Sequence, residues 1–241
     1  MALPQWVASG SADTDVPVFF GDRLACARTL LAVDIDGVLL DSERGGDGFW
    51  QTTLHERFGI SSDDLVARFF EPHWPAIVIG REALLPALAE VLAELDDSLD
   101  PVEFVRHWFD TDFVMNLDVV QLVASWARRG VPVLLVTNQE PLRAAYLWQH
   151  LGPAVGASAM AYSGGLGVTK DDPDFFRRTM DVLDIDQDSR VVFVDDAAAN
   201  VTSANEAGWA AVLYADSAEW RDVVDSFLGD GEDERPVAVE S

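Results

Sequence analysis

Cysteine is almost missing: Cys26 stands alone, so no internal disulfide can form. A lone thiol fits a reducing compartment, and the expected location is the cytoplasm. Positive charge is scarce as well. Sixteen Lys and Arg face 42 Asp and Glu, which leaves a net charge of −26. A polyanion is held by cations that displace its counterions, so this balance argues against a nucleic-acid partner, and an anionic membrane surface is repelled for the same reason. Long apolar runs are missing too: none approaches the ~18 residues of a membrane span, and no basic segment followed by an apolar stretch opens the chain. There is no internal repeat, no Gly-x-Ser-x-Gly elbow and no Walker-type loop, and His55, His73, His107 and His150 lack metal-ligand spacing. Among the few cations lysine is rarest, for every one is Arg except Lys170.

What is present is ordinary globular texture: 241 residues, 49% of them hydrophobic, enough for one core domain and a sizeable insertion. Residues 30–33, 131–136, 190–194 and 210–213 are continuous apolar runs of strand length, the pattern of strands covered on both faces, and residues 157–162 form a weaker fifth. Helical stretches alternate with them at 118–129, 141–151 and 173–183, opened by Pro or closed by Gly. Alternation of this kind predicts an α/β fold, a Rossmann-like parallel sheet with helices on both sides. About 90 residues beyond what a crossover needs separate the first two strands. They carry helical spacing at 50–58, 63–70, 82–95 and 102–109, which predicts a helical cap inserted after the first strand. The expected layout is a loose extension over 1–28, a core of 29–43 and 113–228, a cap of 44–112 and a solvated acidic tail over 229–241.

Ligands of an open parallel sheet bind at the carboxyl ends of its strands. Those ends carry Asp34 and Asp36 after the first run, Thr137 and Asn138 after the second, Lys170 beyond the weak one, and Asp195 and Asp196 after the fourth. Each alone is also an ordinary cap or turn residue. Together they make a site. Asp34 and Asp36, two apart on a turn that Gly37 lets tighten, suit a nucleophile or metal ligand and an acid or base. Adjacent acids ending a buried strand call for a compensating cation, and Mg²⁺, a hard ion that keeps waters and phosphate as ligands, satisfies Asp195 and Asp196. Lys170 supplies a compact point charge able to stand between a carboxylate and a phosphate. With Asp36 protonated, Mg²⁺ and Lys170 neutralise Asp34, Asp195 and Asp196, and a neutral site accepts a phosphate dianion because remote surface charge is screened over about 8 Å. Thr137 and Asn138 offer donors to its oxygens, or cap the next helix.

Asp34-Ile35-Asp36-Gly37-Val38, Thr137-Asn138, Lys170 and Val194-Asp195-Asp196, in that order, resemble the four motifs of the haloacid dehalogenase-like phosphohydrolase superfamily. The branch most like residues 195–208 holds sugar-phosphate phosphatases and the N-terminal domains of soluble epoxide hydrolases. The resemblance implies Mg²⁺-dependent hydrolysis of a small phosphorylated metabolite. Asp34 would become an aspartyl phosphate, Asp36 would serve as acid and then base, and Thr137 and Asn138 would hold phosphate. Lys170 would neutralise charge, and Asp34, the carbonyl of Asp36, Asp195 and Asp196 would hold the metal. Asp171-Asp172 stand where that family usually has Pro after the Lys. True dehalogenases of the superfamily lack an acid two residues after the nucleophile, so Asp36 argues against haloacid chemistry. A phosphomutase shares the first chemical step, and a phospho-binding regulatory module is the reading from outside enzymology.

Overall fold

The computed structural model describes residues 17–41, 49–215 and 219–229. Its centre is a six-stranded sheet in the order β1-β4-β3-β2-β5-β6. The strands are β1 (Phe19–Gly21), β2 (Thr29–Val33), β3 (Val133–Thr137), β4 (Ala159–Tyr162), β5 (Arg190–Asp195) and β6 (Ala210–Leu213). All neighbours run parallel except β1, which pairs antiparallel with β4.

Side chains alternate across a strand, and here both destinations are buried. Leu31 and Val33 of β2, Val133 and Leu135 of β3, and Val192 and Val194 of β5 enter one core. Leu30, Ala32, Leu134, Val136, Val191 and Phe193 enter the other. With no face left for water, polar residues are excluded and the runs read as unbroken apolar sequence.

Between β2 and β3 the chain forms α1 (Phe49–Phe58), α2 (Ser62–Leu65), a π-helical turn (Val66–Phe70), α3 (Glu71–Ile77), α4 (Leu84–Leu95), α5 (Pro101–Thr111) and α6 (Leu117–Arg128). The remaining helices are α7 (Pro141–His150), α8 (Gly152–Val155), α9 (Ser163–Leu166), α10 (Pro173–Val182), α11 (Ala198–Glu206) and α12 (Glu219–Gly229). Pro101, Pro141 and Pro173 each occupy a first turn, where a missing N–H is no loss, and Asp100, Glu140 and Asp172 accept the free amides ahead of them. The chain leaves for the helical insertion and returns from it side by side: Asp41 N–H donates to Val114 O at 2.8 Å and Asn116 N–H to Leu39 O at 2.9 Å.

Two expectations change. The segment expected to be a loose extension contains strand β1, which covers the free edge of β4, with Tyr162 Oη donating to Pro17 O at 2.6 Å. Three residues are too few to show periodicity; the pairing depends on Gly21, where a Cβ would lie 2.3 Å from Ser158 O. Residues 1–16, most of the expected acidic tail and 42–48 lie outside the described residues. Second, α3 was hidden by Pro72 and Pro75, which ordinarily end a helix; Pro72 stands in its first turn, and only Pro75 is interior.

Candidate active site

The strand order reverses at β2, with β3 on one side and β5 on the other, so the loops after these three strands face one crevice. Asp34 follows β2, is 5% exposed, and its Oδ1 accepts from Ile35 N–H at 2.7 Å. Lys170 Nζ stands 2.6 Å from that same Oδ1 and 2.7 Å from Asp195 Oδ2. Asp34 Oδ2 is the oxygen these donors leave open.

Asp195 is wholly buried and saturated. Ala197 N–H reaches Oδ1 at 2.8 Å, and Asn200 Nδ2 stands 3.0 and 3.1 Å from its two oxygens. Asp196 points outward from the next position, and one carboxylate oxygen from each of Asp34, Asp195 and Asp196 falls within 4.8 Å of the others. The loop carrying Asp36 presses on Asp196: Gly37 has φ +81°, and a Cβ there would lie 2.0 Å from Asp196 Oδ2. Only glycine gives that approach.

The electrostatics follow from burial. Loss of water raises the Asp34 carboxyl well above the usual range, against the pull of Lys170 and with the push of Asp195. Desolvation and Asp195 raise Asp196 in the same way. Lys170 is desolvated too, yet its two carboxylate partners outweigh that and hold its pKa above the ordinary lysine value. Three carboxylates against one ammonium leave two negative charges in excess. An all-oxygen donor set with that excess fits a hard divalent cation, and Asp34 Oδ2 and Asp196 are the oxygens free to meet it.

The second loop is arranged otherwise than as a cap. Glu140 caps α7, its carboxylate accepting from Leu142 and Arg143 N–H, which releases Thr137 and Asn138 from that duty. Asn138 Oδ1 accepts from Lys170 N–H at 2.9 Å and so fastens the lysine loop, leaving the Asn138 NH₂ as a donor. Thr137 is 1% exposed and its Oγ1 has no partner among the described residues. Asp171 and Asp172 both face outward: Asp171 Oδ1 accepts from Thr169 Oγ1 at 2.5 Å, and Asp172 caps α10.

Asp36 is apart from the carboxylate cluster. Its Oδ2 accepts from Gln139 Nε2 at 2.5 Å, and Arg143 Nη2 lies 3.4 Å from its Oδ1. Arg143 also pairs with Asp112 at 2.7 Å. Sequence reasoning passes over Gln139, Arg143 and Asp112. A signal existed for two of them: Gln139 adjoins Thr137-Asn138, and Arg143 lies four residues on, in the first turn of α7.

Comparison with known proteins agrees with this layout. No curated protein sequence matches the chain. Solved structures do. A HAD family enzyme from Bacteroides thetaiotaomicron superposes with a TM-score of 0.63 at 15% identity, covering 82% of this chain and 98% of that one. The same enzyme complexed with magnesium and inorganic phosphate gives 0.60 at 14%, with 82% and 98% covered. A HAD-like family hydrolase from Porphyromonas gingivalis gives 0.59 at 16%, with 85% and 98% covered. At these identities the likeness is one of fold. The sequence model of the haloacid dehalogenase-like hydrolases matches residues 29–208, most of the chain, and with that match the protein belongs to the haloacid dehalogenase-like hydrolase family.

Proposed function

We propose that the protein is a Mg²⁺-dependent phosphatase acting on a small phosphate monoester. The observation that carries this reading is the net-negative cluster of Asp34, Asp195, Asp196 and Lys170 beside a Thr137 hydroxyl that has no partner among the described residues. A carboxylate nucleophile, an excess of two negative charges and free donors together suit phosphoryl transfer. The enzyme similar in fold that is complexed with magnesium and inorganic phosphate supports the same pairing here.

Asp34 Oδ2 attacks phosphorus, the bond to the leaving oxygen breaks, and Asp36 delivers its proton to that oxygen. Water then attacks the aspartyl phosphate, Asp36 takes the water's proton, and Asp34 leaves as a carboxylate with phosphate released. Lys170 neutralises the nucleophile and the transferring group, while Thr137 Oγ1 and the Asn138 NH₂ donate to phosphoryl oxygens. Asp34, Asp196 and the carbonyl of Asp36 would hold Mg²⁺, with Asp195 fixing Lys170; the ion supplies charge stabilisation to the phosphoryl oxygens when bound. Phosphate release from para-nitrophenyl phosphate with Mg²⁺, and its loss with chelator, is the expected result. Equal rates in the two conditions refute the metal role.

A further inference from the structure

We propose that Gln139 and Arg143 are positioning residues that aim the Asp36 carboxyl group at the leaving oxygen, and that Asp112 ties this clamp to the returning end of the helical insertion. The inference rests on the phosphatase reading above and deepens it.

An acid works only within hydrogen-bond reach of the atom it protonates. The Asp36 side chain is 41% exposed, on a loop, and burial alone does not fix its rotamer. Its carboxylate contacts are Gln139 Nε2 at 2.5 Å and Arg143 Nη2 at 3.4 Å, one to each oxygen. Two donors on two oxygens set both the position and the plane of the group.

Both donors are themselves held. Gln139 directly follows the phosphate-facing pair, and its carbonyl accepts from Gly164 N–H at 3.0 Å. The Ser163 hydroxyl, 3.2 Å from that carbonyl, donates to Val78 O at 2.6 Å, on the insertion. Arg143 is 2% exposed, with its guanidinium 5.5 Å from the Phe109 ring centroid at the end of α5. Its shortest ion pair is to Asp112 at 2.7 Å, the residue at which α5 ends and the chain turns back to the core. Each arm of the clamp on Asp36 thus reaches a residue of the insertion. A seated insertion and an aimed acid are thereby one arrangement.

The test uses leaving groups. Wild type, Gln139→Leu, Asp112→Asn, Asp36→Asn and the Asp36→Asn/Gln139→Leu pair are assayed with para-nitrophenyl phosphate and phenyl phosphate in Mg²⁺. kcat/KM reports the step in which the leaving oxygen departs, and the less acidic phenol needs the proton more. For Asp36→Asn the nitrophenyl-to-phenyl ratio of kcat/KM rises about 100-fold, the low end of what acid catalysis supplies. For Gln139→Leu it rises roughly 10-fold, and for Asp112→Asn in the same direction. The double variant goes no further than Asp36→Asn, because a positioning residue acts through the group it positions. Equal slowing of both esters by Gln139→Leu, or losses that add to those of Asp36→Asn, overturns the proposal. Should Gln139→Leu not fold, an unchanged ratio in Asp112→Asn overturns it equally. A wild type inactive on both esters removes the phosphatase reading and this one with it; an active wild type with unchanged variant ratios removes this one alone.

Discussion

Replacing Lys170 by Met removes an ammonium and keeps the length of the side chain. Nζ lies 2.6 Å from Asp34 and 2.7 Å from Asp195, with all three residues at most 5% exposed. At an effective dielectric of about 20, each contact is a Coulomb attraction of roughly 6 kcal/mol before desolvation is subtracted. Breaking one side of a buried pair leaves its partner uncompensated, for which about 3–5 kcal/mol is typical. For a chain of this size each kcal/mol moves Tm by about 2–4 °C, so the metal-free variant should melt roughly 6–20 °C below wild type at pH 7. Because the two carboxylates hold Lys170 above its ordinary 10.5, its contribution is complete at neutral pH and is lost only as pH rises through the raised value. In the variant the buried Asp34 loses the lysine contact that lowers its already raised carboxyl pKa, so it takes up a proton more readily and the Tm gap narrows as pH falls. Added Mg²⁺ recovers part of the gap by binding the native state. Lys170→Arg, which retains charge but widens the head group, should fold normally and lose about 100-fold or more in kcat, the size of one electrostatic stabiliser. Calorimetry across pH with and without chelator measures the first effect. A metal-free Tm within 2 °C of wild type would show that the pairs carry no net stability, and near-normal turnover in Lys170→Arg would take the ammonium out of the mechanism.

Two further outcomes separate stability from activity. Thr137→Val deletes a buried hydroxyl that has no partner among the described residues, so Tm should rise by about 2–4 °C for about 1 kcal/mol gained, while kcat/KM on para-nitrophenyl phosphate falls roughly 10-fold; a lower Tm would mean that the hydroxyl is satisfied in the native protein. Burial holds His107 and His150 below their ordinary 6.5, helped at His107 by Arg57, and the Nε2 atom of each is buried without a partner among the described residues. The unfolded chain therefore takes up protons that the native state refuses, and stability contributed by the neutral rings is complete above about pH 7 and drains away as pH falls through 6.5. Thermal melts from about pH 7.5 to 5.5 should show a shallower loss in a His107→Gln/His150→Gln variant; an identical slope would locate the proton uptake elsewhere.

Some of this molecule was settled along the chain. Strands β2, β3 and β5 could be read in sequence because each is buried from both sides, a condition that composition alone records; β6, a half-buried edge strand, shares their apolar run without that burial. Asp34 and Asp36 at one strand end and Asp195 and Asp196 at another followed from the same pattern, and Lys170 stood out because no other lysine exists. What needed the third dimension is every contact made across sequence distance. Gln139 and Asp36 are 103 positions apart, and Arg143 and Asp36 are 107 apart. Their meeting depends on β3 lying beside β2 and on α5 returning Asp112 to the same place. Capping by Glu140 instead of Thr137 or Asn138 was likewise invisible, since all three have side chains able to accept an amide hydrogen bond and only the backbone path chooses. Periodicity reports the environment each residue meets within a turn or a pleat; which distant residue shares that environment is fixed by strand order and helix seating.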